Sequence, residues 1–250
     1  MPRALVTGAT AGLGAEFATQ LAARGYDLVV VARDAERLAA TRDRLSSVSV
    51  EVLPADLGTD EGCAAASARL AAGDVDLLVN NAGIGTYQPF GVADLAREEA
   101  QLDLNVRAVL RLTHAAVRAM TARGSGRILN VSSVAGFVPR GGNATYSASK
   151  AWVTMFSEAL AVQLAGSGVT VTAVCPGFTH TEFHERAQAD MTHVPPRMWL
   201  DAPTVVREAL DDTFAGKPVS VPSRRYKALV SAARTLPRPV LRAVMQRRGM

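Results

Sequence analysis

Arg3-Ala4-Leu5-Val6-Thr7-Gly8-Ala9-Thr10-Ala11-Gly12-Leu13-Gly14 stands near the head of a 250-residue chain. It passes from a short apolar run into a glycine turn, and then into a helical period that runs through Leu21 to Arg24. Strand, glycine turn and helix in this order form the unit that holds a dinucleotide. Glycines let the backbone turn tightly and approach a pyrophosphate, while the free N–H groups and dipole of the helix start favour negative charge. The spacing is TGxxxGxG rather than GxGxxG, so its weight comes from its place at the first strand-to-helix junction.

The same alternation repeats outward from that unit. Leu28-Val29-Val30-Val31, within the predicted strand 27–32, is a continuous apolar run suited to a parallel strand covered on both faces. Further strands are predicted over 48–53, 75–79, 126–131 and 169–174, with helical stretches between them, which means a parallel sheet with helices on both sides. Each strand ends in small or polar residues: Ala32-Arg33, Asp56-Leu57, Asn80-Asn81-Ala82-Gly83, Ser132-Ser133 and Cys175-Pro176-Gly177. Ligands of open α/β sheets bind beyond the carboxyl ends of the strands, so these motifs converge on one edge. At the end of the second strand an acid would accept from both ribose hydroxyls, whereas an Arg pairs with a 2′-phosphate. Arg33 stands there and favours NADP over NAD, with the adjacent Asp34 as the competing reading. Asp56 has two open readings, acceptor for an adenine amino group or cap of the next helix. Asn105 lies between apolar neighbours where two helical stretches meet, and a buried Asn needs partners.

A helix predicted from Ala144 to Ala165 puts Tyr146 and Lys150 four residues apart on one face. A free phenol titrates near pH ~10, and a neighbouring ammonium favours the phenolate, so the pair suits proton exchange at neutrality. Ser133 is the candidate to orient the reacting oxygen. Ser132 is its rival, expected to point the opposite way along an extended strand.

Together these motifs resemble the short-chain dehydrogenase/reductase family from about Arg3 to about Val221, in order and approximate spacing. The resemblance implies a single three-layer α/β/α domain, a doubly wound parallel Rossmann-type sheet of seven strands in the order 3-2-1-4-5-6-7. It implies an NAD(P)-dependent oxidoreductase moving hydride between nicotinamide and a carbonyl or secondary alcohol. In that reading Tyr146 is the general acid/base, Ser133 positions the substrate, Lys150 holds the nicotinamide ribose and Asn105 anchors a water linking Lys150 to solvent. The cofactor would lie along Gly8, Thr10, Ala11, Gly12, Leu13, Gly14, Arg33, Asp56, Leu57, Asn81, Ala82, Gly83, Tyr146, Lys150, Pro176, Gly177, Phe178, Thr179 and Thr181. The family also implies a homodimer or homotetramer, although the ending from Lys217 departs from the tetramer-forming one of many members. Thr10 and Ala11 stand where many NADP-preferring members carry a basic residue, so the NADP reading rests on Arg33. The alternative from another class is a dinucleotide-binding redox sensor or assembly partner without turnover.

The segment 178–203 is expected to close over the substrate, and Phe178, Phe183, Met191, Val194, Met198, Trp199 and Leu200 make it apolar. An oxoacyl thioester or steroid-like ketone fits such a lid. His180, His184 and His193 also lie there, but no carboxylate completes a metal site, and none is expected. Hydrophobic residues are 48% of the chain and charged residues 20%, with no apolar run long enough to span a bilayer. Met1-Pro2-Arg3 leads straight into the first strand, so no signal peptide is expected and the cytoplasm is the default. Cys63 and Cys175 show neither disulfide nor zinc spacing. The net charge of +4 belongs to the end of the chain, because from Lys217 onward there are nine basic residues and no acid. This argues against a general nucleic-acid surface and separates a catalytic domain, 1–222, from a basic amphipathic tail, 223–250. A helix capped by Ser223 is predicted to Leu236, broken by Pro237 and Pro239 and resumed from Val240 to Arg248. Such a tail can pack on the body or on a second subunit, lie on an anionic membrane, or dock the phosphates of a CoA-like substrate.

Overall fold

The computed structural model describes residues 1–139, 142–187, 189–192 and 194–247. The chain forms seven parallel strands, six of four to six residues and a last one of two: β1 (Arg3–Thr7), β2 (Asp27–Ala32), β3 (Val50–Pro54), β4 (Leu77–Asn80), β5 (Gly126–Val131), β6 (Val169–Val174) and β7 (Val219–Ser220). They form one sheet in the order β3-β2-β1-β4-β5-β6-β7, as expected. The central strands are buried on both faces, which explains why their sequences do not alternate.

Helices cover both sides. One layer holds α1 (Gly12–Ala23), α2 (Ala35–Arg44) and α8 (Ala202–Phe214); α1 and α8 pack on each other and on the core around Phe17, Leu21, Val30 and Val206. The opposite layer holds α3 (Asp60–Ala71), α5 (Ala108–Arg123) and α6 (Ala144–Gln163), over a core that includes Leu70, Leu112, Met120 and Ile128. α4 (Leu95–Leu102) runs into α5 through a wider π-turn, Asp103–Arg107, with Asn105 at its centre. The meeting of two helical stretches around Asn105 is therefore a change of helical pitch rather than a break.

Polar side chains fix the strands where the sheet meets the loops. Asn80 donates to Asn130 on β5 (2.9 Å) and to Thr113 on α5 (3.0 Å), and Asn130 in turn donates to Ser157 on α6 (2.9 Å). Asn81 donates to the Thr7 carbonyl (2.9 Å), while the Thr7 hydroxyl accepts from the amides of Asn81 and Ala82. All of these lie at the carboxyl ends of β1, β4 and β5.

After β6 comes the segment expected to be the lid, which carries the short helix α7 (Phe183–Arg186) and whose two ends are held together where Leu200 donates to the Phe178 carbonyl and His180 to that of Leu200. Beyond β7 come α9 (Arg224–Thr235) and α10 (Arg238–Arg247), a helical arm. Ser223 does not cap α9. Its φ of 80° turns the chain into the left-handed region, and its amide donates to Glu208 (3.1 Å) instead. Arg248, at the expected end of the second tail segment, lies outside the described residues, as does His193.

Replacing Asn80 with Ala strands the Asn130 oxygen in a buried site and should lower the unfolding free energy by about 1–3 kcal/mol. Urea denaturation with an unchanged slope checks this.

Candidate active site

The glycine turn fits a phosphate by its backbone. A Cβ on Gly14 would stand 2.1 Å from the Gly8 carbonyl oxygen, so only glycine allows the helix to start this close to β1. Ala11, the N-cap of α1, offers no side-chain acceptor to the first amides of the helix, which therefore remain available to an anion. Thr10 to Leu13, Asp56, Leu57, Asn81 to Gly83 and Pro176 to Thr179 all line one continuous cleft of about 930 Å³.

At the end of β2 both Arg33 and Asp34 are exposed and line this cleft. Asp34 is also the N-cap of α2, where one of its carboxylate oxygens accepts from the Arg37 amide (3.0 Å). Arg37 lines it too, reaching back to donate to the Thr10 carbonyl (3.1 Å). Sequence reasoning missed Arg37. The only signal for it was its position one helical turn beyond Arg33. Asp56 accepts from the Gly58 amide (2.9 Å) in a local turn, and the cap of α3 is Thr59, so the cap reading of Asp56 gives way.

Tyr146 and Lys150 occupy successive turns of α6, both buried. The Lys150 ammonium lies 5.7 Å from the centre of the Tyr146 ring and donates to the Val131 carbonyl at the end of β5 (2.9 Å). Burial without a carboxylate partner pulls its pKa down to about 8. A Cβ built on Gly83 would lie 3.0 Å from the Asn105 oxygen and 3.5 Å from the Lys150 nitrogen, so the smallness of residue 83 leaves space between these polar atoms. The Asn105 side chain accepts from the Ile84 amide (3.0 Å) and donates to the Ile84 carbonyl (2.8 Å), fixing the loop after β4.

Ser132 and Ser133 part company at the end of β5. The Ser132 hydroxyl is buried against α6, donating to the Lys150 carbonyl (2.7 Å) and lying 2.7 Å from the Thr154 hydroxyl. Ser133 is partly exposed; its oxygen accepts from the Ala135 amide (3.1 Å), so its proton remains to be donated. Cys175 lies beneath this group with its thiol pushed up to about 11 by burial.

The lid brings Phe183 to 5.7 Å from the Tyr146 ring, with Tyr87 on another side at 6.4 Å. Thr181 rests on the glycine turn, its Cβ 3.2 Å from where a Gly12 Cβ would be. His180 stacks on Trp199 at 4.6 Å, and His184 meets Trp199 edge-on at 5.2 Å. These two histidines therefore take part in the aromatic packing of the lid, and no metal-binding cluster occurs among the described residues.

The family model described as short chain dehydrogenase matches residues 2–192. The chain belongs to this family. It is an NAD(P)-dependent oxidoreductase with the Rossmann-type sheet of that family. A short-chain dehydrogenase from Sphingobium yanoikuyae, solved in complex with NADPH, is 37% identical, with 94% of each chain covered and a TM-score of 0.86. A bulky-bulky ketone specific alcohol dehydrogenase from Comamonas testosteroni is 32% identical over 94% of this chain and 92% of its own, with a TM-score of 0.81. A very-long-chain 3-oxoacyl-CoA reductase of Coprinopsis cinerea is 33% identical over 93% of this chain and 71% of its own length.

A lysine whose folded pKa is depressed costs stability while it is charged in the folded state, and the cost is relieved as pH rises from about 8 to the ordinary value of 10.5. The cofactor-free protein should therefore gain roughly 3 kcal/mol across that window relative to Lys150→Met, at ~1.4 kcal/mol per pH unit. Parallel urea titrations of the two proteins from pH 7 to 10.5 measure the difference, and parallel curves would contradict it.

Proposed function

We propose that the protein is an NADP-preferring reductase of apolar carbonyl compounds, with Tyr146, Ser133, Lys150 and Asn105 as its active group. The observation that carries the reading is the buried ammonium of Lys150 one helical turn from Tyr146, at the edge where the glycine turn opens. A bound nicotinamide cofactor supplies the hydride in this reaction. Tyr146 hands its phenolic proton to the carbonyl oxygen, and Ser133 steadies that oxygen by donating a hydrogen bond. The Lys150 ammonium favours the phenolate that remains and holds the nicotinamide ribose. A water beside Asn105 would link that ammonium to solvent, and Thr181, packed on the glycine turn, would hold the carboxamide of the bound cofactor. A redox sensor without turnover has no use for such a relay.

Support for NADP over NAD comes from Arg33 and Arg37 at the adenosine end and from the engagement of Asp34 as a helix cap. The NADPH bound to the Sphingobium relative points the same way. For the acceptor, the apolar lid and the bulky-ketone and 3-oxoacyl-CoA relatives favour a ketone with a large apolar body or an oxoacyl thioester. Free buried thiols at Cys63 and Cys175 support a reducing, cytoplasmic setting. Leu102 and Leu110, each 44% exposed, with Met155 and Val162 on α6, leave an apolar face that favours a homodimer or homotetramer.

Tyr146→Phe should lower kcat by at least about a hundredfold with NADPH affinity nearly intact. Retention of more than about a tenth of the wild-type rate on a ketone panel would sink the assignment. The Arg33→Ala/Arg37→Ala double variant should raise the KM for NADPH at least about tenfold, while NADH changes far less. Tighter binding of NADH than NADPH by the wild-type protein would reverse the cofactor preference.

A further inference from the structure

Among the apolar residues of the arm, two sets bear on the cleft. Tyr226, Val230 and Leu241 are buried, 3–6% of each remaining exposed, and hold α9 and α10 to the body. Tyr226 does most of this. Its ring fills the space that a Cβ on Gly177 would need, 2.1 Å away, and its hydroxyl accepts from the Phe178 amide (3.1 Å) and donates to the Met198 carbonyl (2.7 Å). The second set is Leu229, Leu236 and Val244, which are 50%, 39% and 38% exposed and yet line the same cleft as Tyr146 and Ser133. Leu229 stands on α9, Leu236 at the extended residue that ends it and Val244 on α10, so this apolar stripe crosses the break at Pro237. Part of their open surface belongs to the wall of the cleft. Phe137, Val138 and Met198 line the cleft as well and connect that wall to the reacting end.

Resting on the reductase reading above, we propose that the arm 224–247 is the distal wall of the substrate site and selects for the length of the acceptor's apolar body. The occupant is a lipid-like ketone whose carbonyl sits at Tyr146 and whose hydrocarbon lies on Leu229, Leu236 and Val244. Continuity of the cleft from one end to the other identifies it: a short polar carbonyl would fill the catalytic end and leave the apolar stripe in water. Each methylene laid on such a wall strengthens binding by about fourfold.

The test uses NADPH and the unbranched 2-alkanones from 2-butanone to 2-dodecanone. In the wild-type protein kcat/KM should climb with chain length. In Leu236→Ser/Val244→Ser, both partly exposed positions, the 2-dodecanone to 2-butanone ratio of kcat/KM should fall at least tenfold, mainly through KM. An unchanged ratio overturns the proposal. Amide hydrogen exchange of the NADPH complex supplies a readout without turnover, and 2-dodecanone but not 2-butanone should protect 229–245. Protection without reduction of any ketone would leave the arm assignment standing and remove the reductase reading. Equal reduction of all lengths without protection would do the reverse, and neither protection nor reduction overturns both.

Discussion

Placing the Lys150 ammonium in a buried site with a backbone carbonyl as its acceptor is the constraint on which the rest depends. A charge in such a place is costly unless polar groups surround it. The sheet supplies them by its topology. Because β1, β4 and β5 are parallel neighbours, their carboxyl ends bring Thr7, the Asn80–Gly83 run and Val131 together. The carbonyl that accepts from Lys150 is thus the last of β5, and the space beside it is kept open by the lack of a side chain at Gly83. Ser132 closes the arrangement from behind by donating to the Lys150 carbonyl, fixing the turn of α6 that carries the amine.

That dependence explains why so much could be read from the chain alone. Buried parallel strands need uninterrupted apolar runs, and those runs, with the apolar/polar alternation of 48–53, located six strands and the sheet edge at which the motifs gather. Ser133 and Ser132 could be told apart by strand alternation, since one residue in an extended chain reverses the side-chain direction. Asn105 was visible as a polar residue out of place; what the sequence did not reveal was that a π-turn accommodates it. Two features depended on contacts between separate segments and left little local trace. Arg37 reaches back to the Thr10 carbonyl at the glycine turn, and the left-handed Ser223 has its amide held by Glu208 of α8. Both contacts join segments that the local pattern does not pair.

The tail shows the same limit from another side. Its charge and amphipathic period allowed packing, membrane contact or phosphate docking, and no property of the segment itself chose among them. The packing seen depends on a residue outside it. Gly177 has no side chain, so the Tyr226 ring can come up against the loop after β6, and its phenol bonds both the Phe178 amide and the Met198 carbonyl. A single side chain thereby ties together the Pro176–Gly177 turn at the end of β6, the segment 178–203 and the arm beyond it. Any movement of the lid must either carry α9 along or break the two hydrogen bonds of Tyr226. Lid and arm are therefore joined mechanically.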